Sequence, residues 1–216
     1  MPFDKLNIHI GIDFDHTIVD YHSIFGEKAC ALGFIDSKKK MSKNEVKIIV
    51  KESEDGERKW GILQSEVYSQ GIREAVIMKG FLEFVKACRK GRISLSVISH
   101  KNRSNPYDLL NRDLQEPALD WMKSHHFFEK SRLGFSRKQV FFDETIEDKV
   151  VRIKALNCSH FVDDLLKVFS YPRFPESTRK ILYLNNMSEK DNTAVDFLGD
   201  WRGITKYLIL EEPHEA

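Results

Sequence analysis

The 216-residue sequence lacks the features that mark secreted and membrane proteins. Its only cysteines, Cys30, Cys88 and Cys158, are far apart in the sequence. Disulfide frameworks and structural zinc sites need paired or clustered thiols, so both are excluded and a reducing compartment is predicted. No stretch approaches the ~18 consecutive apolar residues of a membrane helix, and the N-terminus does not resemble a signal peptide. We therefore expect a soluble, cytoplasmic protein.

The sequence also has few glycines and prolines, and its net charge is close to zero. The 11 glycines and 6 prolines are too few for a collagen-like or linker-like chain. The 34 basic and 33 acidic residues leave a net charge of +1, which argues against nucleic-acid binding driven mainly by net charge. What the sequence does contain is aromatic residues, 15 Phe, 6 Tyr and 3 Trp, which supply a hydrophobic core and exclude intrinsic disorder.

Short apolar runs alternate with helix-like segments along most of the chain. This alternation is typical of crossover units, so we predict an α/β fold with a doubly wound, Rossmann-like, mostly parallel sheet. The strand-sized runs are residues 8–14, 93–98, 139–142, 160–162 and 181–184. The helix-like segments between them are residues 78–89, 108–127 and 145–156, of which Pro117 is expected to split or kink the second.

Two regions need separate interpretation. Residues 21–76 contain no convincing strand apart from an ambiguous apolar run at 46–50, and they favour helices at 23–32 and 60–69. Because the chain is longer than a typical domain of about 150 residues, we predict a small, mainly helical accessory domain at 21–76, inserted after the first strand of a core formed by 1–20 and 77–216. The apolar spacing of residues 193–210 predicts a helical tail that packs on the core.

Acidic and hydroxyl residues follow three of the predicted strands. The first strand ends in Asp13 and Asp15, followed by Thr17, and the strand at 160–162 ends in Asp163 and Asp164. Another hydroxyl, that of Ser99, follows the strand at 93–98. Ligands of open α/β sheets bind at the carboxyl ends of strands, where these side chains would meet. Two carboxylates this close to each other either raise the pKa of one of them or require a cation between them. Because the available ligands are oxygens, a hard divalent ion such as Mg²⁺ is the natural candidate.

These motifs resemble those of the haloacid dehalogenase superfamily, and in particular its phosphatase branch. Its first motif, a strand followed by Asp-x-Asp-x-Thr, matches Asp13, Asp15 and Thr17; its second matches Ser99; and its fourth, an acidic pair, matches Asp163 and Asp164. The resemblance covers most of the chain outside residues 21–76, and it implies that this mainly helical insertion is a type-one cap over the site.

The third motif of that superfamily is a lysine near the start of the helix before the acidic pair. Lys149 fits best, because it lies in the opening turns of the predicted helix, and Lys154 is the competing residue. One departure from the family pattern is His16, which stands where many members have glycine. Its side chain either contacts the substrate or fills the turn.

The resemblance implies a role for each matched residue. Asp13 would be the nucleophile that becomes an aspartyl phosphate, and Asp15 the general acid and base. Ser99, Lys149 and Thr17 would bind the phosphate, and Ser99 and Lys149 would stabilise charge in the transition state. The acid/base role of Asp15 favours phosphoryl transfer over dehalogenation.

The resemblance also implies a magnesium site and a substrate class. Mg²⁺ would be held by Asp13, by the backbone carbonyl of Asp15 and by Asp163, with Asp164 orienting a ligand or the lysine. A cap in this position implies a small-molecule phosphate monoester, either a sugar phosphate or a nucleotide-like compound. A phosphomutase or phosphotransferase, a polynucleotide-end phosphatase and a catalytically silent phospholigand-binding protein are the alternatives. The sequence does not determine the oligomeric state.

Overall fold

The computed structural model describes residues 8–36, 41–108, 110–184 and 194–210. Within these residues the chain forms eight strands and eight α-helices, joined by turns and short 3₁₀ segments. The strands are β1 (His9–Ile12), β2 (Val19–Asp20), β3 (Val76–Ile77), β4 (Ser94–His100), β5 (Val140–Asp143), β6 (His160–Asp163), β7 (Arg179–Tyr183) and β8 (Phe197–Gly199). The helices are α1 (Ile24–Ala31), α2 (Lys43–Glu52), α3 (Gly56–Ser69), α4 (Phe81–Lys90), α5 (Gln115–Ser124), α6 (Ile146–Ala155), α7 (Leu166–Phe169) and α8 (Trp201–Thr205).

Six of the strands form one parallel sheet in the order β5-β4-β1-β6-β7-β8. The central strand β1 pairs with β4 on one side, where Ile12 lies opposite Val97, and with β6 on the other, where Ile12 lies opposite Val162. Helices flank the sheet, so its strands are apolar on both faces. The predicted α/β, Rossmann-like fold is therefore confirmed.

Apolar layers pack on the sheet of the core. Ile98 and Phe161 pack in one buried cluster with Val150 and Ile153 of α6. In another, the aromatic rings of α4 meet Trp201 of α8, with ring centroids 4.6 to 5.0 Å apart. These layers fix the strands whose carboxyl ends carry the polar residues.

The C-terminal region differs from its predicted single helix. Of the predicted range, Thr193 lies outside the described residues, and residues 197–199 form the edge strand β8, in which Phe197 pairs with Ile181 of β7. Helix α8 covers only Trp201–Thr205 and continues into a π-helical segment, Lys206–Leu210. Apolar spacing permitted a helix here, but pairing with a distant strand decided the local structure.

Helix α5 is shorter than predicted, and Pro117 does not kink it. The helix begins at Gln115, so Pro117 lies in its first turn. A proline is tolerated there because the first backbone N–H groups of a helix have no intrahelical partner.

The chain divides into two compact units. The first, called the core unit here, comprises Met1–Val19, Ile77–His100 and His126–Ala216, and the second, called the helical unit, comprises Asp20–Val76 and Lys101–His125. The helical unit contains α1, α2, α3 and α5, and its aromatic centre includes Tyr21, Phe25, Trp60 and Tyr68. Its first segment nearly coincides with the predicted cap at 21–76.

The predicted domain bounds place residues 101–125 in the core, whereas in the structure these residues group with the helical unit. Trp121 Nε1 donates a hydrogen bond of 2.9 Å to the carbonyl of Ala75. Arg112 forms an ion pair with Glu66 of α3. These contacts join sequence-distant segments, which explains why local patterns did not reveal the grouping.

All three cysteines are free thiols. Among the helices of the described residues, none combines the length and the apolar character needed to cross a membrane.

Candidate active site

Three strands of the core unit bring the predicted site residues to one edge of the sheet. Asp163 is the last residue of β6, Ser99 is the penultimate residue of β4, and Asp13 directly follows β1. The backbone N–H of Asp13 donates to the carbonyl of Val162 at 2.9 Å, which extends the ladder between β1 and β6 up to the site. Because the strands are parallel, all three side chains lie at the carboxyl end of the sheet.

A glycine allows β1 to lie close to its surroundings just before the site. A Cβ on Gly11 would lie 2.7 Å from a ring carbon of Phe161, so a larger residue would displace that ring. The same ring lies 5.2 Å from the ammonium group of Lys149. Glycine at position 11 is therefore required by packing beside the candidate site.

Two donors contact the same oxygen of Asp13. Ser99 Oγ donates to Asp13 Oδ1 at 2.9 Å, and Lys149 Nζ donates to the same atom at 2.6 Å. The ammonium group also donates to Asp163 Oδ2 at 2.6 Å. All four side chains are buried. The structure thus brings together residues separated by up to 150 positions in the sequence.

Helix α6 determines which lysine reaches the site. Thr145 caps the helix by accepting a hydrogen bond of 3.0 Å from the backbone N–H of Asp148. Lys149 follows in the first turns and is only 2% exposed, whereas Lys154 on the same helix is exposed. Lys149 therefore lies against the acidic residues, and Lys154 does not contribute to this cluster of hydrogen bonds.

Burial makes the electrostatics of this cluster strong. Burial by itself lowers the pKa of Lys149, but the adjacent carboxylates of Asp13 and Asp163 outweigh burial and raise that pKa above its ordinary value. Burial, reinforced by the carboxylate of Asp13, raises the pKa of Asp163 to about 6, although the ammonium of Lys149 opposes this shift. Lys149 is therefore a cation held between two acidic groups.

The acidic residues form a group that can hold a metal ion. Asp13, Asp163 and Asp164 each offer a carboxylate oxygen, and these oxygens lie within 4.8 Å of one another. When ionised, the three carboxylates and the single ammonium of Lys149 carry a net charge of −2, which a divalent cation would balance. Oxygen donors of this kind suit Mg²⁺. Asp164, expected only to orient other groups, thus lies among the potential ligands.

The turn after Asp13 has an unusual backbone at His16. His16 has a φ angle of 66°, in the left-handed region that favours glycine. The turn is closed by a hydrogen bond of 3.0 Å from the N–H of His16 to the carbonyl of Val19. Asp15, before the strained residue, is half-buried and forms an isolated β-bridge with Val19. This backbone conformation would suit glycine better than histidine, which agrees with the glycine that the motif resemblance leads one to expect at position 16.

Thr17 differs from the other predicted phosphate ligands. Its hydroxyl is buried and has no hydrogen-bond partner among the described residues. Its main-chain carbonyl accepts a hydrogen bond of 2.9 Å from Trp201 Nε1. The apolar spacing around Trp201 predicts core packing only, because no local pattern indicates a contact across 184 positions.

Comparisons with known proteins show a shared fold. No protein-family model and no curated protein sequence matches this chain. A haloacid dehalogenase-like hydrolase from Streptococcus pneumoniae has a similar structure, with a TM-score of 0.58 at 15% identity over 93% of this chain and 97% of the other. A HAD-family hydrolase from Deinococcus radiodurans R1, solved with bound phosphate and sodium, has a TM-score of 0.58 at 10% identity over 95% and 96% of the two chains. A HAD-superfamily hydrolase of subfamily IA from Geobacter sulfurreducens has a TM-score of 0.51 at 12% identity over 93% and 96%.

These similarities define the class of fold. Each alignment spans nearly the whole of both chains, so the likeness includes the sheet and the helical segments inserted into it. The chain therefore has the fold of haloacid dehalogenase-like hydrolases, as its motifs predicted.

Proposed function

We propose that this protein is a Mg²⁺-dependent phosphatase that hydrolyses a small-molecule phosphate monoester through an aspartyl-phosphate intermediate. The observation that carries the proposal is the double contact at Asp13 Oδ1, where Ser99 and Lys149 donate beside the acidic group of Asp163 and Asp164. This arrangement combines a carboxylate nucleophile with donors for an anionic substrate. The shared fold supports a hydrolase of the same class.

The first half-reaction transfers the phosphoryl group to the protein. A carboxylate oxygen of Asp13 attacks phosphorus, forming an O–P bond while the bond from phosphorus to the leaving oxygen breaks. Asp15 gives its proton to that leaving oxygen, so the product departs as an alcohol. Ser99 and Lys149 donate hydrogen bonds to the nonreacting phosphoryl oxygens and stabilise their charge in the transition state.

The second half-reaction releases inorganic phosphate. Asp15, now a carboxylate, accepts a proton from water as the water oxygen attacks phosphorus. The bond from phosphorus to Asp13 then breaks, which restores the Asp13 carboxylate and the protonated form of Asp15. One residue thus acts as acid in the first step and as base in the second, and no proton is gained or lost over the cycle.

The metal would be held by Asp13, Asp163 and the backbone carbonyl of Asp15, and Asp164 is close enough to provide a further ligand. When bound there, Mg²⁺ would neutralise the charge of the carboxylates and of the substrate together. The cofactor assignment rests on the oxygen-only donor set and on the net negative charge of the buried group.

The substrate class follows from the predicted cap. We assign this role to the helical unit, whose first segment, Asp20–Val76, is inserted after the first strand, which is the position of a cap that closes over small substrates. Sugar phosphates and nucleotide-like monophosphates are both compatible with the site residues. The near-zero net charge of the chain gives no support to a nucleic-acid substrate. A cytoplasmic location remains a prediction from the cysteine content.

A hydrolysis assay with p-nitrophenyl phosphate tests the proposal. Wild-type protein should release nitrophenol in the presence of Mg²⁺, lose this activity in chelator and regain it when Mg²⁺ is restored. Asp13→Asn should abolish activity, because an amide is a poor nucleophile. Asp143→Asn is the matched control, since Asp143 is a buried carboxylate at the end of β5 that pairs with Arg152. It should keep most of the wild-type rate.

Two results would count against the assignment. Activity that persists in Asp13→Asn would remove the nucleophile, and activity unaffected by the chelator would remove the metal site. The intermediate itself is detectable by mass spectrometry after acid quenching. Asp15→Asn should accumulate protein carrying one phosphoryl group when the leaving group is nitrophenolate, because release from Asp13 still needs a base.

A further inference from the structure

The turn that carries Asp15 needs support from outside its own sequence. It contains His16 in a left-handed conformation, with a φ angle of 66°. Such residues are strained and persist only where surrounding contacts hold them. Within the turn, the backbone N–H groups of Ile18 and Val19 both donate to the carbonyl of Phe14, at 2.9 and 3.0 Å. These bonds close the turn but do not attach it to the rest of the core unit.

Two carbonyl groups of the turn accept hydrogen bonds from residues outside it. The backbone N–H of Met78 donates to the carbonyl of Ile18 at 2.8 Å. The indole N–H of Trp201 donates to the carbonyl of Thr17 at 2.9 Å, and both residues are 0% exposed. A buried carbonyl that lacks a hydrogen-bond donor lowers the stability of the folded state. The indole N–H of Trp201 therefore stabilises this arrangement of the turn over others in which the carbonyl of Thr17 has no donor. The side chain of Trp201 thus donates a hydrogen bond to the turn at Thr17, two residues after Asp15.

The indole ring is itself held rigidly. Phe84, Phe81 and Tyr183 surround it, with ring centroids at 4.6, 5.0 and 5.5 Å from the centroid of Trp201. Gly80 has a φ angle of 90°, and a Cβ at that position would lie 3.0 Å from Cβ of Trp201. Because the ring is held from several sides, its N–H group has a fixed position. The carbonyl of Thr17, which accepts the hydrogen bond from that N–H, is therefore held in place as well.

We propose that Trp201 is a positioning residue for the general acid: its hydrogen bond to Thr17 fixes the turn that presents Asp15 to the leaving oxygen. The proposal rests on the phosphatase function proposed above. Trp201 does not contact the reacting atoms. A small displacement of an acid from its productive position can lower a rate substantially.

The leaving group provides the test. Nitrophenolate leaves readily without a proton, whereas the more basic phenolate of phenyl phosphate depends on the acid. In Trp201→Phe, which keeps an aromatic ring but loses the N–H, kcat/KM for phenyl phosphate should fall about tenfold, and for p-nitrophenyl phosphate about twofold. The ratio of the two values therefore falls about fivefold. If Trp201 had only a structural role, both kcat/KM values would fall in proportion to the fraction of folded protein, and their ratio would not change.

Trp121→Phe is the matched control. Trp121 is also buried, and its indole N–H also donates at 2.9 Å to a main-chain carbonyl, that of Ala75 in the helical unit. This variant should leave the ratio of the two kcat/KM values at its wild-type level. An unchanged ratio in Trp201→Phe, or an equal fall in both variants, would overturn the proposal. If wild-type protein hydrolyses neither ester, the proposed phosphatase function itself has failed.

A measurement on wild-type protein covers the case in which Trp201→Phe does not fold. The indole N–H of Trp201 should exchange with solvent deuterium about as slowly as the most protected amides of β1 and β6, because the bond to Thr17 opens only on global unfolding. Exchange that is a hundred times faster than that of those amides would show that the hydrogen bond is not maintained, and would overturn the proposal.

Discussion

The two ends of the parallel sheet both contain buried polar residues, but only one end has an excess of charge. At the amino end, the ring of His9 contacts Ser96 Oγ and the carbonyl of Leu156, both at 2.9 Å, and Ser159 Oγ lies 2.9 Å from Nδ1 of His160. These groups bind one another and the backbone. The charged side chains beside His160, Arg179 and Asp196, lie 3.7 Å apart as an ion pair, so their opposite charges balance.

At the carboxyl end, the carboxylates of Asp13, Asp163 and Asp164 lie within 4.8 Å of one another, and a single buried ammonium group pairs with the first two. The ion pairs there leave negative charge uncompensated, which is unfavourable in a buried environment unless a cation binds. The comparison teaches that burial and hydrogen bonding alone do not indicate a functional site. The indication here is an excess of like charge at strand ends, together with donors directed at one carboxylate oxygen.

At the carboxyl end of the sheet, which carries the excess charge, removing Lys149 should have the largest effect on stability and on rate. Lys149→Ala leaves Asp13 and Asp163 buried without their cation, so we expect a loss of about 3–5 kcal/mol in the free energy of unfolding, measured by urea in chelator. The rate of aryl phosphate hydrolysis should fall at least ~10²-fold, because a donor to the phosphoryl group is lost.

Lys154→Ala is the control on the same helix. Lys154 is exposed, so its loss should change the free energy of unfolding by less than ~0.5 kcal/mol and leave the rate close to wild type. Equal, modest losses in both variants would mean that Lys149 is not the phosphate-binding lysine.

Sequence patterns were sufficient to predict this charged end. The apolar runs that become β1, β4 and β6 are strand-sized, and each polar residue lies at the carboxyl end of its strand or directly after it. Parallel pairing then brings the strand ends together without further information. Lys149 was predictable because Thr145 marks the start of α6.

The remaining features depend on contacts between distant segments. The edge strand at Phe197 forms by pairing with β7, although its apolar spacing also fits a helix. Residues 101–125 join the helical unit through partners such as Ala75 and Glu66. The bond from Trp201 to Thr17 is of the same kind. No local pattern encodes such contacts, because each depends on how the whole core packs.

Two serines of one strand sharpen the comparison between the ends. Ser99 Oγ donates to Asp13, and Ser96 Oγ contacts the ring of His9, with both distances at 2.9 Å. Each alanine variant should cost about 1 kcal/mol of stability, because each loses one hydrogen bond. Ser99→Ala should lower kcat about 10²-fold, whereas Ser96→Ala should leave it unchanged. A comparable fall in kcat for Ser96→Ala would show that the two ends are not functionally distinct.

At the amino end of the sheet, we expect a dependence of stability on pH and no effect on catalysis. Burial, together with the positive charge of Arg179, lowers the pKa of His160 to about 4 from an ordinary value of 6.5. Below pH 6.5 the unfolded chain therefore takes up a proton that the folded protein does not, so stability present at pH 7 is lost as the pH falls towards 4. Between pH 7 and pH 5 this residue should account for about 2 kcal/mol of the decrease in unfolding free energy. His160→Gln should reduce that decrease, and His22→Gln, at an exposed position, should not. If His160→Gln and wild type lose the same stability over this interval, the neutral state of His160 does not govern the amino end.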